Sequence, residues 1–353
     1  MSVSPFEHPW LGRLLGDETV ARELGPDAAL RQMLLFEVAL ALAEAEEGAI
    51  PAEAGELIAE HLMDFHPDDA AIAAATVRDG VVVPELVRQL REPIAPPHAQ
   101  HVHFGATSQD VIDTALVLQL RPVLTELKAR LETLAHLLAE LDGRFGGNEL
   151  MAHTRMQDAI PIRVSDRIAA WRLPLRRHVE RLDALLPRLL VLQFGGAAGT
   201  LDKLGDKGPA VAARLAQKLA LGLPERSWHS QRDNFAELGS WLSLVSGSLG
   251  KMGADIALMA QNRFGEIAIA GGGTSSAMPH KSNPVGAEVL VTLARYNATL
   301  MGGMHDALVH EQERSGAAWT LEWLVLPQML MTTAAGLRTA LTLCGNITRI
   351  GAP

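Results

Sequence analysis

Between Val111 and Leu141 the chain reads VIDTALVLQLRPVLTELKARLETLAHLLAEL. Within it, leucines recur at Leu116, Leu120, Leu124, Leu127, Leu131, Leu134, Leu138 and Leu141, in steps of 4, 4, 3, 4, 3, 4 and 3. Alternating threes and fours place one side chain of each turn on the same helix face, and the pattern lasts several heptads. The stretch therefore predicts one long helix with a continuous apolar seam, which Pro122 is positioned to kink.

Outward from this seam the same character continues. A second rod is expected over about 166–192, with Ile168, Trp171, Leu175, Val179, Leu182, Leu186 and Leu189 on one stripe. Further rods are expected over about 233–264, 284–314 and 318–343. Rods of roughly 25–30 residues are about 40 Å long and bury their stripes by bundling. Five is an awkward number to close within one chain, so bundling between subunits is expected. Before the seam, helical patterns at Ala28–Glu47 and Asp68–Arg78 are cut by Pro51, Pro67, Pro84, Pro93, Pro96 and Pro97. Residues 1–105 thus read as a smaller helical domain, 106–345 as the rod domain and 346–353 as a short tail. Val81–Val83 is the one short strand-like run, and a buried loop explains it equally well.

Composition agrees with an all-α fold. Aromatics are 4%, with a single Tyr, while Ala and Leu, both strong helix formers, dominate. The formal net charge of −10 argues against nucleic acid as a partner, although local cations can still make a cleft that takes a small anion. One cysteine, Cys344, rules out an intrachain disulfide and a CxxC metal site and suits a reducing, cytoplasmic setting. Met1–Trp10 carries Glu7, His8 and two prolines and lacks the form of a signal peptide. No run is long and apolar enough to span a membrane.

Three segments between the rods are too polar or too glycine-rich for a core. His103-Phe-Gly-Ala-Thr-Ser-Gln-Asp110 enters the first rod. Thr107 or Ser108 can cap that helix, and the same hydroxyls with free backbone N–H groups can bind a carboxylate. Met151–Pro161 packs His153, Thr154, Arg155 and Gln157 just before the second rod, where surface polarity is an equally good explanation. Gly271–Pro284 opens with three glycines and continues through two serines, a lysine and an asparagine, the composition of a loop that carries chemistry beside rigid elements. Other features are weaker. His98, His101 and His103 have no companion at ligand spacing, so no metal is expected. Gly195–Thr200 lacks the residues of a phosphate loop and reads as a close-packed turn.

Gly271–Pro284 resembles the signature of the fumarase/aspartase superfamily, Gly-Ser-Ser-x-Met-Pro-x-Lys-x-Asn-Pro. Thr274 stands in place of the first glycine, and Ser275, Ser276, Met278, Pro279, Lys281, Asn283 and Pro284 match. Gly105–Asp110 and Ala152–Ala159 resemble the family's first and second site regions, in the family's order. Aligning Thr154 and Gln157 puts Arg155 where many family lyases carry a general-acid histidine, and His153 on the family's arginine. Gly105–Thr114, Gln193–Leu201, Trp228–Asp233 and Glu311–Trp319 resemble one branch, the bacterial 3-carboxy-cis,cis-muconate cycloisomerases.

The resemblance implies a fumarase/aspartase-like fold, all-α, whose long central helix bundle is shared between subunits and whose C-terminal third domain is largely absent. It implies a homotetramer with sites shared between subunits, a small anionic polycarboxylate substrate, and no cofactor. The reaction implied is lactonisation in the protocatechuate branch of aromatic catabolism. Close alternatives are the 3-sulfomuconate analogue and an adenylosuccinate lyase-type elimination; a non-catalytic scaffold is the reading from another class. Ser275 and Lys281 are the implied catalytic residues, with His103 and His229 as further proton donors. Thr107, Ser108, Thr154, Arg155, Gln157, Ser276, Met278 and Asn283 form the implied substrate-binding set.

Overall fold

The leucine seam folds as one uninterrupted helix of 38 residues, Ser108–Phe145, with Pro122 inside it. Leu120, Leu124, Leu127, Leu131, Leu134, Leu138 and Leu141 are buried along its length, and Leu116 at the head of the seam is only partly buried. The computed structural model describes residues 4–274, 276–278 and 281–352, apart from the side chain of Met63.

Six α-helices precede the seam among the described residues: α1 (Gly12–Leu15), α2 (Glu18–Glu23), α3 (Pro26–Glu46), α4 (Ala52–Met63), α5 (Asp69–Asp79) and α6 (Val83–Arg91), with a 3₁₀ turn at His98–His101. The seam helix is α7 (Ser108–Phe145). A hairpin follows, β1 (Glu149–Thr154) and β2 (Gln157–Arg163), and then α8 (Val164–Leu189), α9 (Gly208–Leu219) and α10 (Asp233–Met259). The chain ends through β3 (Ile267–Ile269), β4 (Gly273–Thr274), β5 (Ser282–Asn283), α11 (Val285–Asp306), α12 (Gly316–Gly345) and β6 (Ile347–Ile350). The expected all-α architecture holds, with strands confined to three two-stranded pairs among the described residues.

The five rods are α7, α8, α10, α11 and α12. α7 lies against α8, α8 against α10, α10 against α11, α11 against α12, and α12 returns to α7. Their contact depends on small residues where backbones approach. A Cβ on Gly250 would fall 2.4 Å from the Ala294 Cβ, and one on Gly253 2.5 Å from the Ala287 carbonyl, so α10 and α11 could not close with larger residues there. α3 packs on both α7 and α9, and one apolar core runs without a break from Val20 through α7 to Ile350.

Several expected boundaries shift. Val81–Val83 is neither strand nor loop throughout: the chain bends into α6, and Val83 is its buried first residue. The second rod stops at Leu189, because Leu190 and Leu192 exchange backbone hydrogen bonds with Gly222 instead. The third stops at Met259, and the chain turns through Gly265 (φ 57°) into β3, which pairs with β6. The fourth stops at Asp306, leaving 307–315 as a connection to α12.

The segment before α8 is the larger surprise. It forms the β1–β2 hairpin, with Thr154 opposite Gln157 and a two-residue turn at Arg155 and Met156. Both turn residues have left-handed backbones, φ 50° and 67°, as a tight hairpin turn requires. Residues with side chains adopt that conformation at a cost of about 1–2 kcal/mol each, and the usual Asn-Gly signal of such a turn is missing from the sequence.

Candidate active site

α7 begins at Thr107, and its first turn is fixed by Asp110, whose Oδ2 accepts the Thr107 backbone N–H at 3.0 Å. Asp110 is fully buried and takes four further donors. Its Oδ1 accepts from Gly195 N (2.9 Å), Gln193 Nε2 (3.2 Å) and the His229 ring at Nε2 (2.7 Å), and its Oδ2 from Gly196 N (2.9 Å). A buried carboxylate so surrounded is fully satisfied. Gly195–Thr200, expected as a close-packed turn, is what supplies two of these donors. A Cβ on Gly195 would sit 2.5 Å from Ser227 Oγ, so the backbone reaches Asp110 only without a side chain.

One turn further along α7, Asp113 anchors a second buried group. Arg232 binds it through Nη1 (2.6 Å) and Nη2 (3.2 Å), and binds Glu322 of α12 through Nε (2.8 Å) and Nη2 (2.5 Å). Gln109 Nε2 (3.1 Å) and Trp319 Nε1 (2.9 Å) also donate to Asp113. The guanidinium packs over the rings of Trp228 (4.9 Å) and Phe235 (4.7 Å). Burial opposes its charge, but the carboxylates of Asp113 and Glu322 outweigh that and hold its pKa above the ordinary arginine value. Arg314, in the connection before α12, ties the entry of α7 to the glycine turn: Nη1 donates to Thr107 Oγ1 (2.9 Å), Nη2 to the carbonyls of Gly196 (3.2 Å) and Ala197 (3.0 Å).

His103, Thr107, Ser108 and His229 thus gather at the head of α7. His103 and both helix-entry residues are partly open, and His229 is buried with its Nε2 committed to Asp110. His103 has a left-handed backbone (φ 61°), and its Nδ1 lies 2.6 Å from Glu37 Oε1.

Thr154, Arg155 and Gln157 are elsewhere. They stand exposed on the hairpin beyond the tail of α7. His153 beside them pairs with Asp158 (3.0 Å) and meets the Phe264 ring edge-on at 5.7 Å. Ser276, Met278, Lys281 and Asn283 lie at this same tail end, since β3 pairs with β6 and Glu149 of the hairpin bridges to Ala352 just after β6. Gly273 and Thr274 pair with Asn283 and Ser282, which closes the glycine-rich loop into a small hairpin. Ser276, Met278 and Lys281 are exposed, and Asn283 is half-buried. Ser275 and Pro279 lie outside the described residues.

The head and tail sets are separated by the length of α7, roughly 55 Å at ~1.5 Å per residue. The chain brings together each set but not both. Chemically, the head offers hydroxyls, a helix N-terminus and an arginine for an anion, with histidines for proton transfer. The tail offers a lysine, an arginine and amides. Among the described residues, no cluster of three or more His, Cys, Asp or Glu could hold a metal ion.

No local pattern in the sequence marks Asp110, Asp113, Arg232, Arg314 or Glu322 as functional. Their only sequence signal is charge placed where rods begin or end, which surface residues share.

Residues 18–297 match a family model described as lyase. The chain is 43% identical to the 3-carboxy-cis,cis-muconate cycloisomerase of Pseudomonas aeruginosa, over 89% of this chain and 70% of that protein. It is 41% identical to the enzyme of the same name from Bradyrhizobium diazoefficiens, over 93% of this chain and 74% of that protein. Its fold superposes on the crystal structure of the 3-carboxy-cis,cis-muconate lactonizing enzyme of Pseudomonas putida with a TM-score of 0.89, at 39% identity, covering 95% of this chain and 76% of the other. With matches of this extent in sequence and in fold, the chain belongs to the lyase family of the fumarase/aspartase superfamily, alongside its lactonising members.

Proposed function

We propose that this chain is a cycloisomerase that lactonises 3-carboxy-cis,cis-muconate to 4-carboxymuconolactone, in protocatechuate catabolism by the β-ketoadipate pathway. The activity named for the relatives 36–43% identical to this chain carries the reading, and the polar segments at the two ends of α7 supply the groups the reaction requires.

In that reaction a substrate carboxylate oxygen adds to an alkene carbon, and the π electrons move toward a carbon beside another carboxylate. That carbon takes one proton. The product has one ionised carboxylate fewer than the substrate, so one proton is consumed per turnover. Charge accumulates on the second carboxylate as an enediolate-like dianion before protonation. Fixed donors aimed at it lower the barrier, and Lys281 and Asn283 are assigned that task. Thr107, Ser108, Thr154, Gln157, Ser276 and Met278 hold and shape the rest of the substrate. Arg155 pairs two-pronged with a further carboxylate, which fits a tricarboxylate. For the proton, Ser275 comes first by its alignment, with His103 and His229 as the other donors on the chain.

The site so assigned needs residues from both ends of α7, and a muconate cannot bridge them. A homotetramer with four composite sites follows, in which the head of one subunit meets the tails of others. The division into an N-terminal helical domain (1–105), a rod domain (106–345) and a short C-terminal segment fits this plan, as does a cytoplasmic setting. Light scattering should give four copies; a fully active monomer would refute the sharing.

The activity is tested by following the conjugated-diene absorbance of 3-carboxy-cis,cis-muconate. Native protein should remove it quickly, and Lys281→Ala should slow removal by about 10²–10³-fold with the fold intact. No loss of absorbance, with turnover of 3-sulfomuconate or adenylosuccinate instead, would move the chain to one of those activities.

A further inference from the structure

The described residues contain a second buried acidic feature that the reaction above leaves unused. Glu37 and Glu44 lie on one face of α3, and both are buried. Glu37 has a side-chain exposure of 1%, and its Oε1 lies 2.6 Å from the Nδ1 of His103. Its Oε2 and both oxygens of Glu44 have no hydrogen-bond partner among the described residues. The ring of His103 is 14% exposed, and no hydrogen bond occupies its Nε2 among the described residues. The left-handed backbone at His103 (φ 61°) is disfavoured for a residue with a side chain. An ordinary connecting loop has no need of that conformation, which here turns the ring onto α3.

We infer that His103 is the acid that protonates the substrate carbon, and that Glu37 is its positioning residue. Glu37 accepts Nδ1–H and so fixes which face of the ring is turned to the head of α7. Nε2–H is left free to be given away. In the step, the C–O bond of the lactone forms and the alkene π bond breaks. The proton leaves Nε2 for the carbon beside the carboxylate as the new C–H bond. The neutral imidazole then regains a proton from solvent through its open edge. In this assignment Ser275 is not the source of the proton. The inference rests on the lactonising reading of the site.

The charges facing the ring come from three elements. Burial works against a charged imidazole, but Glu37 on α3 and Asp110 on α7 outweigh it, with Arg91 on α6 opposing them, and the pKa is raised. Arg91 is itself turned aside to the Val102 carbonyl (2.9 Å). Glu44 adds no competing anion at neutral pH, since burial, with Glu37 nearby, pushes its carboxyl up to about 9. Glu37 is therefore the one carboxylate on α3 that the ring meets.

An acid with a raised pKa gives a rate that falls as pH rises through that pKa. Removing the Glu37 charge should lower the pKa and move the fall to lower pH. The experiment is the pH profile of kcat/KM for the native protein, Glu37→Gln, Glu37→Asp and His103→Gln. Expected are an alkaline limb displaced to lower pH by about one pH unit in Glu37→Gln, a limb near its native position but lower kcat in Glu37→Asp, and no limb in His103→Gln. An NMR titration of the His103 ring in native protein gives the same pKa without substrate, and applies even if a variant fails to fold; it should coincide with the limb. Native turnover with an unmoved limb in Glu37→Gln, a His103 pKa away from the limb, or near-normal turnover in His103→Gln would each overturn the inference alone. Absence of native turnover would sink it together with the lactonising reading.

Discussion

At the head of α7, Asp110 takes five donors and Arg232 is locked between two buried carboxylates and two aromatic rings. At its tail, some 55 Å away at ~1.5 Å per residue, Arg155, Gln157 and Lys281 reach into solvent from short hairpins. Both ends carry charged residues between rods, yet the buried charges of the head are paired within the chain and the tail displays its groups outward. Side chains already satisfied at home hold a shape, whereas exposed ones are left for another molecule. Substitutions among the buried, paired charges of the head should therefore be read mainly in stability, and those at the tail in turnover.

The sharpest test is Arg232→Ala. It leaves Asp113 and Glu322 buried without the cation they share and should cost about 3–5 kcal/mol in urea denaturation. A loss under about 1 kcal/mol would mean the head is not the rigid half. Asp110→Asn comes next. An amide offers one acceptor oxygen to donors that now meet two, so a loss of about 1.5–3 kcal/mol is expected, with turnover falling as Thr107 loses its anchor.

A smaller effect depends on pH. The Glu44 carboxyl is pushed up to about 9 in the fold, from 4.5, by burial and by Glu37. The folded chain thus holds a proton that the unfolded chain releases between those values, and stability falls as pH rises across that window. Glu44→Gln should flatten this fall by at least ~1.4 kcal/mol, the free energy of a tenfold change in proton affinity. Equal midpoints for both proteins at pH 5 and pH 9 would count against it. Least of all, Arg155→Ala should move stability by no more than about 0.5 kcal/mol while raising KM for the tricarboxylate. A large stability loss there would erase the contrast between the two ends.

The rods were legible in the sequence because burial on one face imposes a period, and Leu120 to Leu141 display that period without interruption. The order of the polar segments was legible too, since the glycine-rich loop has a composition no core would tolerate. The hairpin before α8 was not, because its turn uses Arg155 and Met156 at positive φ, residue types that carry no turn signal. The pairing of Asp110 with His229, of Asp113 with Arg232 and of Glu37 with His103 was equally hidden. Each joins residues 66 or more positions apart, and no local pattern marks which charge will be buried.

The continuity of α7 bears on how such a chain can vary in length. Deleting one residue from its interior would turn everything beyond by about 100° and draw it in by ~1.5 Å. The leucines would leave the core, and the hairpin would point in a different direction. Insertions and deletions should therefore be purged from 108–145 and accumulate in connections such as 307–315, so that α7 serves as a gauge whose length sets the distance between the two groups of polar residues at its ends.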